Sequence, residues 1–397
     1  MKVLVTHPGL QHAHQLAWAL EDAGHLGALW SGVPIRDPRE PPNVLSRWLY
    51  RQIRKIPIPS SRRNHNVLFP LLRRLIIRLL PPRTANAWNH RLDHVYDAWI
   101  ARRVAAFKPD VVVCYENSAL RTFRAAKTVG AICVLDAASV HHEATAKWIS
   151  ETGQRNPQWI DLQKQQEIEQ ADAVLTCSEF AAETYRAAGV RSDKLFPIPL
   201  GTDLSNLARS DKVPEDVCRF VFVGSLMRRK SVDLILDIFE QFLRDGIPAR
   251  LTLIGGASEI DLAKRANGIP GVTHLQFIPQ PALFEEILKH DVLLLPSRFD
   301  SFGMVIPEAM SVGVPALVSD RVGAKCIIEA HPGSGWVVPC DADSIRHQII
   351  RLINQRELIS IASATARRAA QDYSWPKYRA RVVARIESIY STYKGVI

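Results

Sequence analysis

Cysteine is scarce in this sequence and shows no pattern. Cys114, Cys133, Cys177, Cys218, Cys326 and Cys340 are spread singly through 397 residues, with no C-x-x-C among them. That spacing excludes a zinc ribbon and a disulfide framework, and it favours a reducing compartment, the cytosol. Long apolar runs are missing as well. No segment approaches the roughly 18–20 residues that cross a hydrocarbon core. The Met1–Thr6 start lacks the apolar h-region and cleavage site of a signal peptide. Glycine (20) and proline (25) are too few for a collagenous or low-complexity chain. With 47% hydrophobic and 23% charged residues, the composition is that of a globular protein. Its length implies two or three domains.

Acidic residues are absent from one long stretch. Between Pro41 and Leu92 there are eleven Arg and Lys and no Asp or Glu. The rest of the chain carries 39 basic against 40 acidic residues, so the formal charge of +10 belongs to that one segment.

Outside it, apolar runs alternate with helical periods. Lys2–Thr6 reads as a buried strand and Gln11–Ala23 as a helix. Asp110–Tyr115, Ala131–Asp136, Ala173–Thr176 and Leu195–Pro199 are strands separated by helical stretches. A polar stretch at 204–218 reads as a linker. A second series starts at Arg219–Gly224 and continues through Arg250–Ile254, His274–Phe277, Val292–Leu295 and Pro315–Val318. Such alternation means βαβ units on parallel sheets. The expected fold is α/β, two doubly wound Rossmann-like domains facing across a cleft. Residues 1–203 form the first, with a basic insertion at about 41–92, and 219–374 the second. A helix at 375–397 is free to cross back to the first. Ligands of such sheets sit beyond the carboxyl ends of the strands.

The densest constellation runs from Pro296 to Met310, PSRFDSFGMVIPEAM. A strand ends at Leu295, a loop holds Asp300 and Gly303, and a helix opens near Ile306. Backbone N–H groups at such a turn suit a phosphate, and Gly303 admits a close ligand. Asp300 and Glu308 can accept paired hydrogen bonds from vicinal sugar hydroxyls. Each carboxylate taken alone also fits a helix start or a solvated loop.

This run resembles the signature of family 4 glycosyltransferases, retaining enzymes of the GT-B fold. Pro296, Ser297, Phe302, Gly303, Glu308, Ala309, Met310, Gly313 and Pro315 fall in step with it. Asp300 stands where a Glu is usual, and Ser311 where an Ala is usual. Phe222-Val223-Gly224-Ser225-Leu226 through Lys230 is similar to the family's diphosphate loop, and Leu253–Gly256 to its next glycine turn. Ala171-Asp172, Ser178 and Pro199–Asp203 resemble the close of the N-terminal domain. The likeness covers Val111 to the C-terminus and, weakly, Met1–Leu26; the basic insertion lies outside it.

The resemblance implies roles. Glu308 would hold the ribose, Asp300 the transferred sugar, and Lys230 the diphosphate. Ser225 occupies the place of the usual second cation, which leaves Arg228 or Arg229, with Arg229 preferred. Gly224, Ser225, Ile278, Phe302, Gly303, Met304 and Val305 fall on the donor side. His141, or His142 in its place, corresponds to a histidine facing the transferred sugar. Gly9, Glu116, Asn117 and His142 are candidates for the acceptor side. The implied activity is retaining transfer from a nucleotide-diphosphate sugar to a glycan or lipid-linked acceptor in cell-surface polysaccharide assembly. The leaving phosphate helps deprotonate the acceptor, and neither a cofactor nor a metal is expected. Rival readings are an inactive nucleotide-sugar-binding relative, an epimerase or phosphorylase on the same fold, and a nucleic-acid-binding protein. No nucleic-acid module pattern accompanies the basic segment, so that last partner is not expected.

The segment itself contains Pro70–Leu80, PLLRRLIIRLL. On a helical wheel Arg73, Arg74 and Arg78 gather on one arc and the leucines cover the rest. A basic amphipathic helix of this kind suits an anionic membrane surface at the cytoplasmic face. The other reading has its apolar face packed on the domain and its arginines in water.

Overall fold

The computed structural model describes residues 1–40, 54–66, 68–149, 157–205, 207 and 217–395. The first sheet is built from Val3–His7 (β1), Leu26–Ser31 (β2), Arg63–His65 (β5), Val111–Tyr115 (β6), Ile132–Ala137 (β7), Ala173–Thr176 (β8) and Leu195–Pro197 (β9). Ile35–Arg36 (β3) and Arg54–Lys55 (β4) make a short parallel pair of their own. The strand order is β5-β2-β1-β6-β7-β8-β9, and every pairing is parallel. β1, β7 and β8 are buried along their whole length, as expected when helices cover both faces.

The second sheet comprises Cys218–Val223 (β10), Ala249–Ile254 (β11), Val272–Leu275 (β12), Val292–Leu295 (β13), Ala316–Ser319 (β14) and Gly335–Val338 (β15). It is parallel throughout, in the order β12-β11-β10-β13-β14-β15. Its first helix, Val232–Asp245, buries Val232, Ile235, Leu236, Ile238, Phe239 and Phe242. Leu243, which the period places on the same stripe, is 50% exposed at the last turn. Gly246 ends the helix with φ 68° and donates its N–H back to Phe242 and Leu243.

The segment around 41–92 is part of the first domain and not an appendage to it. Its described portion supplies β5, the edge strand beside β2, and the helices Leu68–Leu79 and Pro82–Phe107. Phe69 meets Tyr96 edge-on at 5.3 Å. Tyr96 is fully buried; its hydroxyl donates to the Trp30 carbonyl at 2.6 Å and accepts the His7 N–H at 3.1 Å. Trp48 and Tyr50, two aromatics upstream of Leu68–Leu79 which the membrane reading counts as interfacial anchors, lie outside the described residues, as do 206 and 208–216 of the 204–218 linker.

The C-terminal helix, Trp375–Lys394, lies on the first domain. Arg379 donates to Gln15 Oε1 at 2.8 Å and sits 4.1 Å over the Trp18 ring. Tyr393 donates its hydroxyl to the Asp172 carbonyl at 2.7 Å. At the crossover Gly201 has no room for a Cβ, which would stand 2.6 Å from the Trp375 nitrogen.

The two domains meet through loops that follow strand carboxyl ends. Ser301, after β13, accepts the Val140 N–H on its hydroxyl at 3.1 Å and the Ser178 hydroxyl on its carbonyl at 2.6 Å. A Cβ on Gly323 would stand 2.5 Å from Ser178 Oγ, so a glycine is required at this seam. Trp148 of the first domain packs 5.4 Å from Phe299 of the second.

Candidate active site

The second domain gathers its polar groups around β10, β11 and β13. β10 is followed by Gly224 at φ 148°, a conformation that L side chains rarely adopt. Gly255, after β11, comes so close that a Cβ on it would stand 2.1 Å from the Gly224 carbonyl oxygen. The 3₁₀ turn Arg228–Lys230 then folds Lys230 back over Gly224 and to 3.6 Å from Asp300 Oδ2. Asp300 is held by its backbone, donating to the Arg321 carbonyl at 3.0 Å and accepting from Gly323 at 2.9 Å.

Glu308 lies in the short helix Val305–Ser311, with Gln280 Nε2 at 3.4 Å. Burial pushes its carboxyl up to about 7, and the charge on Asp203 adds to the shift. Lys230 and Asp300 thus meet beyond the ends of β10 and β13, and Glu308 stands on the helix that follows the Asp300 loop.

The other residues expected on the donor side divide between core and surface. Phe302 and Val305 are core residues, 3% and 7% exposed, and shape the turn from beneath. Gly303 has φ 92°, and a Cβ there would meet Leu295, Ile306 and Val322 at 3.1 Å. Its freedom serves this packed turn more than ligand approach. Met304 and Ile278 are partly buried against the same core, and Ser225 is exposed. Arg229 donates to the Phe299 carbonyl at 3.1 Å and lies 5.2 Å over its ring. Arg228 pairs with Glu259 and Asp261, which takes its charge away from Gly224.

One Asp-x-Asp spacing does occur, at Asp341-Ala342-Asp343. Asp341 caps the helix Ala342–Asn354, accepting the Ser344 N–H at 2.7 Å, and so has a structural use. No group of metal-ligating side chains is found among the described residues.

Of the residues expected on the acceptor side, Glu116 and Asn117 are buried, whereas Gly9 and His142 are partly exposed. Glu116 is 6% exposed and accepts from Ser139 Oγ at 2.6 Å and Lys164 Nζ at 3.2 Å. Asn117 has φ 66° and donates its N–H to Glu167 at 2.7 Å. Burial pushes the Glu167 carboxyl up to about 7 against the hydrogen bonds it accepts from Ala119, Gln163 and Asn117. Gly9 donates its N–H to His7 Nδ1 at 2.8 Å. His142 Nε2 is 3.2 Å from Gln165 Oε1.

His141, expected to face the transferred sugar, is buried in this structure. Its ring is 1% exposed and lies edge-on to Tyr185 at 5.1 Å. Burial, then His142 and Lys164, lowers its pKa to about 4, so it is neutral.

Sequence reasoning passed over His12 and Asp136. His12 Nε2 is 2.9 Å from Asp136 Oδ2, and the two side chains are 6% and 9% exposed. The signal was a carboxylate in the apolar β7 run, since a buried charge requires a partner.

Both halves of the chain match known families. The family described as Glycosyl transferase 4-like domain matches residues 10–201, straight through the basic segment, and Glycosyl transferases group 1 matches residues 206–369. The chain belongs to the group 1, family 4-like glycosyltransferases of the GT-B fold. An uncharacterized glycosyltransferase of this kind from Methanocaldococcus jannaschii is 29% identical over 43% of this chain and 45% of its own length. That alignment therefore spans under half of the relative. A GDP-mannose-dependent alpha-(1-6)-phosphatidylinositol dimannoside mannosyltransferase of Mycobacterium tuberculosis is 22% identical over 83% of this chain and 86% of its own. Among solved structures, a sucrose-phosphate synthase from Thermosynechococcus elongatus superposes with a TM-score of 0.69 at 18% identity. It covers 99% of this chain and 100% of its own, and it shares the GT-B fold.

Proposed function

We propose that this protein moves a sugar from a nucleotide-diphosphate sugar to a hydroxyl of a glycan or lipid-linked acceptor, retaining the anomeric configuration and using no metal. The observation that carries this reading is the position of Lys230, folded over the Gly224 turn and 3.6 Å from Asp300, with Glu308 on the helix that follows. Departure of the diphosphate builds negative charge, and a preorganised cation at that turn stabilises it. Glu308 holds the ribose hydroxyls and Asp300 meets the transferred sugar. The mycobacterial relative, which by its name uses GDP-mannose and acts on phosphatidylinositol dimannoside, supports a glycolipid acceptor.

The helix Leu68–Leu79 supports work at a membrane face, which we place on the cytoplasmic side. It buries only Phe69. Leu68, Leu71, Leu72, Leu75, Ile77 and Leu79 are exposed, from 41% at Leu71 to 66% at Leu79. An apolar face left open and set in a segment of one charge sign suits the headgroup boundary of anionic lipid. No helix of the described residues is long and apolar enough to cross a membrane.

The function is tested by incubating the protein with UDP-glucose, GDP-mannose and ADP-glucose and with liposomes carrying phosphatidylinositol. Release of nucleoside diphosphate together with sugar on the lipid is expected. No transfer from any of the three would count against the reading.

A further inference from the structure

Asp300 belongs to the second domain, yet both of its neighbours in sequence are held by the first. On one side the Phe299 ring packs 5.4 Å from Trp148, which stacks nearly parallel on Phe180 at 5.7 Å. On the other side Ser301 takes three hydrogen bonds across the seam. Its hydroxyl accepts the Val140 N–H at 3.1 Å. Its carbonyl accepts the Ser178 hydroxyl at 2.6 Å and the Cys177 thiol at 3.3 Å.

Ser178 is fully buried at the start of the helix Glu179–Ala187. Its Oγ accepts the Ala181 N–H at 3.0 Å and so caps that helix. With a lone pair spent on its own helix, the hydroxyl hydrogen goes to Ser301, and one side chain serves both domains. A Cβ on Gly323 would stand 2.0 Å from the Ser301 carbonyl oxygen and 2.5 Å from Ser178 Oγ. Gly323 also donates its N–H to the Asp300 carbonyl at 2.9 Å. The Ser178–Ser301 bond and the Asp300 backbone are therefore packed on the same bare glycine. Lys230 Nζ, at 3.6 Å from Asp300 Oδ2, is beyond hydrogen-bond reach and does not fix the carboxylate by itself.

We propose that Ser178 is a positioning residue for the transfer step. Acting through the Ser301 carbonyl, it holds the loop that aims Asp300 at the transferred sugar. This rests on the glycosyltransferase reading above and adds a division of labour to it. Lys230 and Glu308, which hold the nucleotide in that reading, belong to the second domain. The aim of Asp300 depends on the first domain standing against its loop. Loss of the Ser178 hydroxyl should therefore lower turnover and spare nucleotide binding.

The test is turnover of Ser178→Gly and Ser301→Ala at saturating UDP-glucose, GDP-mannose or ADP-glucose, read as sugar on phosphatidylinositol liposomes. Glycine is well tolerated at a helix N-cap, so Ser178→Gly removes the hydroxyl with little loss of the helix. It is expected to lower kcat by about 10–10²-fold, the effect of a misplacement of up to an ångström. Its thermal shift with UDP, GDP or ADP should keep the wild-type size. Ser301→Ala loses only the Val140 contact and should lower kcat less.

A double-mutant cycle separates positioning from a structural role. In an Asp300→Ala background, Ser178→Gly should cost at most about twofold more, because the residue it acts through is gone. A structural role would cost the same in both backgrounds. Near-native kcat in Ser178→Gly overturns the proposal, as does a full loss repeated on Asp300→Ala or a nucleotide shift lost along with kcat. Should Ser178→Gly fail to fold, Ser301→Ala decides: a lower kcat with an intact nucleotide shift supports the proposal, and an unchanged kcat overturns it. Wild type that transfers from none of the three donors defeats the glycosyltransferase reading, and the Ser178 role falls with it. Wild type and Ser178→Gly that transfer equally well defeat the Ser178 role alone.

Discussion

A side-chain carbon on Gly224 would stand 2.7 Å from Lys230 Nζ. The glycine and the lysine therefore form one device: the bare backbone lets the amine settle over the turn, which is the proposed diphosphate site. Lys230→Ala is expected to lower transfer by about 10²–10³-fold, the usual effect of removing one preorganised charge contact. Gly224→Ala should act in the same direction by displacing the lysine, with a further strain of about 1–3 kcal/mol at φ 148°. Steady-state kinetics and a melting curve check both; Lys230→Ala should melt close to wild type.

Glu308 carries a pH signature. Its carboxyl sits at about 7 in the folded protein against an ordinary 4.5, so it is partly protonated at neutral pH. Only the ionised form accepts from both ribose hydroxyls, so nucleotide affinity should rise with pH through 7. Below that value it should fall by up to about tenfold per pH unit. The sign for stability is opposite. The folded state keeps a proton that the unfolded chain gives up between 4.5 and about 7, so Glu308 reduces stability as pH rises across that window. Calorimetric titration of UDP or GDP at several pH values, with Glu308→Gln as the flat control, checks the first statement.

The first-formed product is expected to keep the anomeric configuration of the donor sugar, and EDTA is expected to leave the rate unchanged. NMR of the product before mutarotation decides the first point; inversion would contradict the family mechanism. A rate restored only by added Mg²⁺ or Mn²⁺ would contradict the assignment of the diphosphate charge to Lys230.

Membrane contact should be read from liposome flotation. Arg73 is engaged by Asp93, whereas Arg74 and Arg78 are exposed beside the open leucines. Each Arg near an anionic surface contributes about 1 kcal/mol, so changing both to Gln should weaken binding roughly thirtyfold. Changing Arg73 as well should weaken it further. Binding should need anionic lipid and fade at high salt. Equal flotation with neutral lipid, or none at low salt, would contradict this reading.

Much of this arrangement was legible in the sequence, for a physical reason. Strands covered on both faces, such as β6 and β13, are unbroken apolar runs and announce themselves. β2 does not, because Leu-Gly-Ala-Leu-Trp-Ser is broken by small residues that the packing demands: a Cβ on Gly27 would stand 2.8 Å from Lys2 Cγ. β5, Arg-Asn-His at the sheet edge, has no apolar signature at all. Asp300, Gly303 and Glu308 are local in sequence, so their shared turn and helix start show in the spacing alone. His12 and Asp136 lie 124 positions apart, and only the folded sheet brings them together. The burial of His141 beside Tyr185 is likewise set by residues distant in sequence, which spacing alone does not show.

The central claim is that Glu308 and the turn around Lys230 hold a nucleotide sugar, and ligand-induced stabilisation tests it most directly. Wild type, Lys230→Ala and Glu308→Ala are melted with and without UDP-glucose, GDP-mannose and ADP-glucose. A ligand at a hundred times its Kd should stabilise wild type by about 2.7 kcal/mol. At least one nucleotide sugar should raise the wild-type Tm, and both variants should lose most of that rise while melting normally on their own. No rise in wild type with any of the three, or a full rise retained by Glu308→Ala, would contradict it.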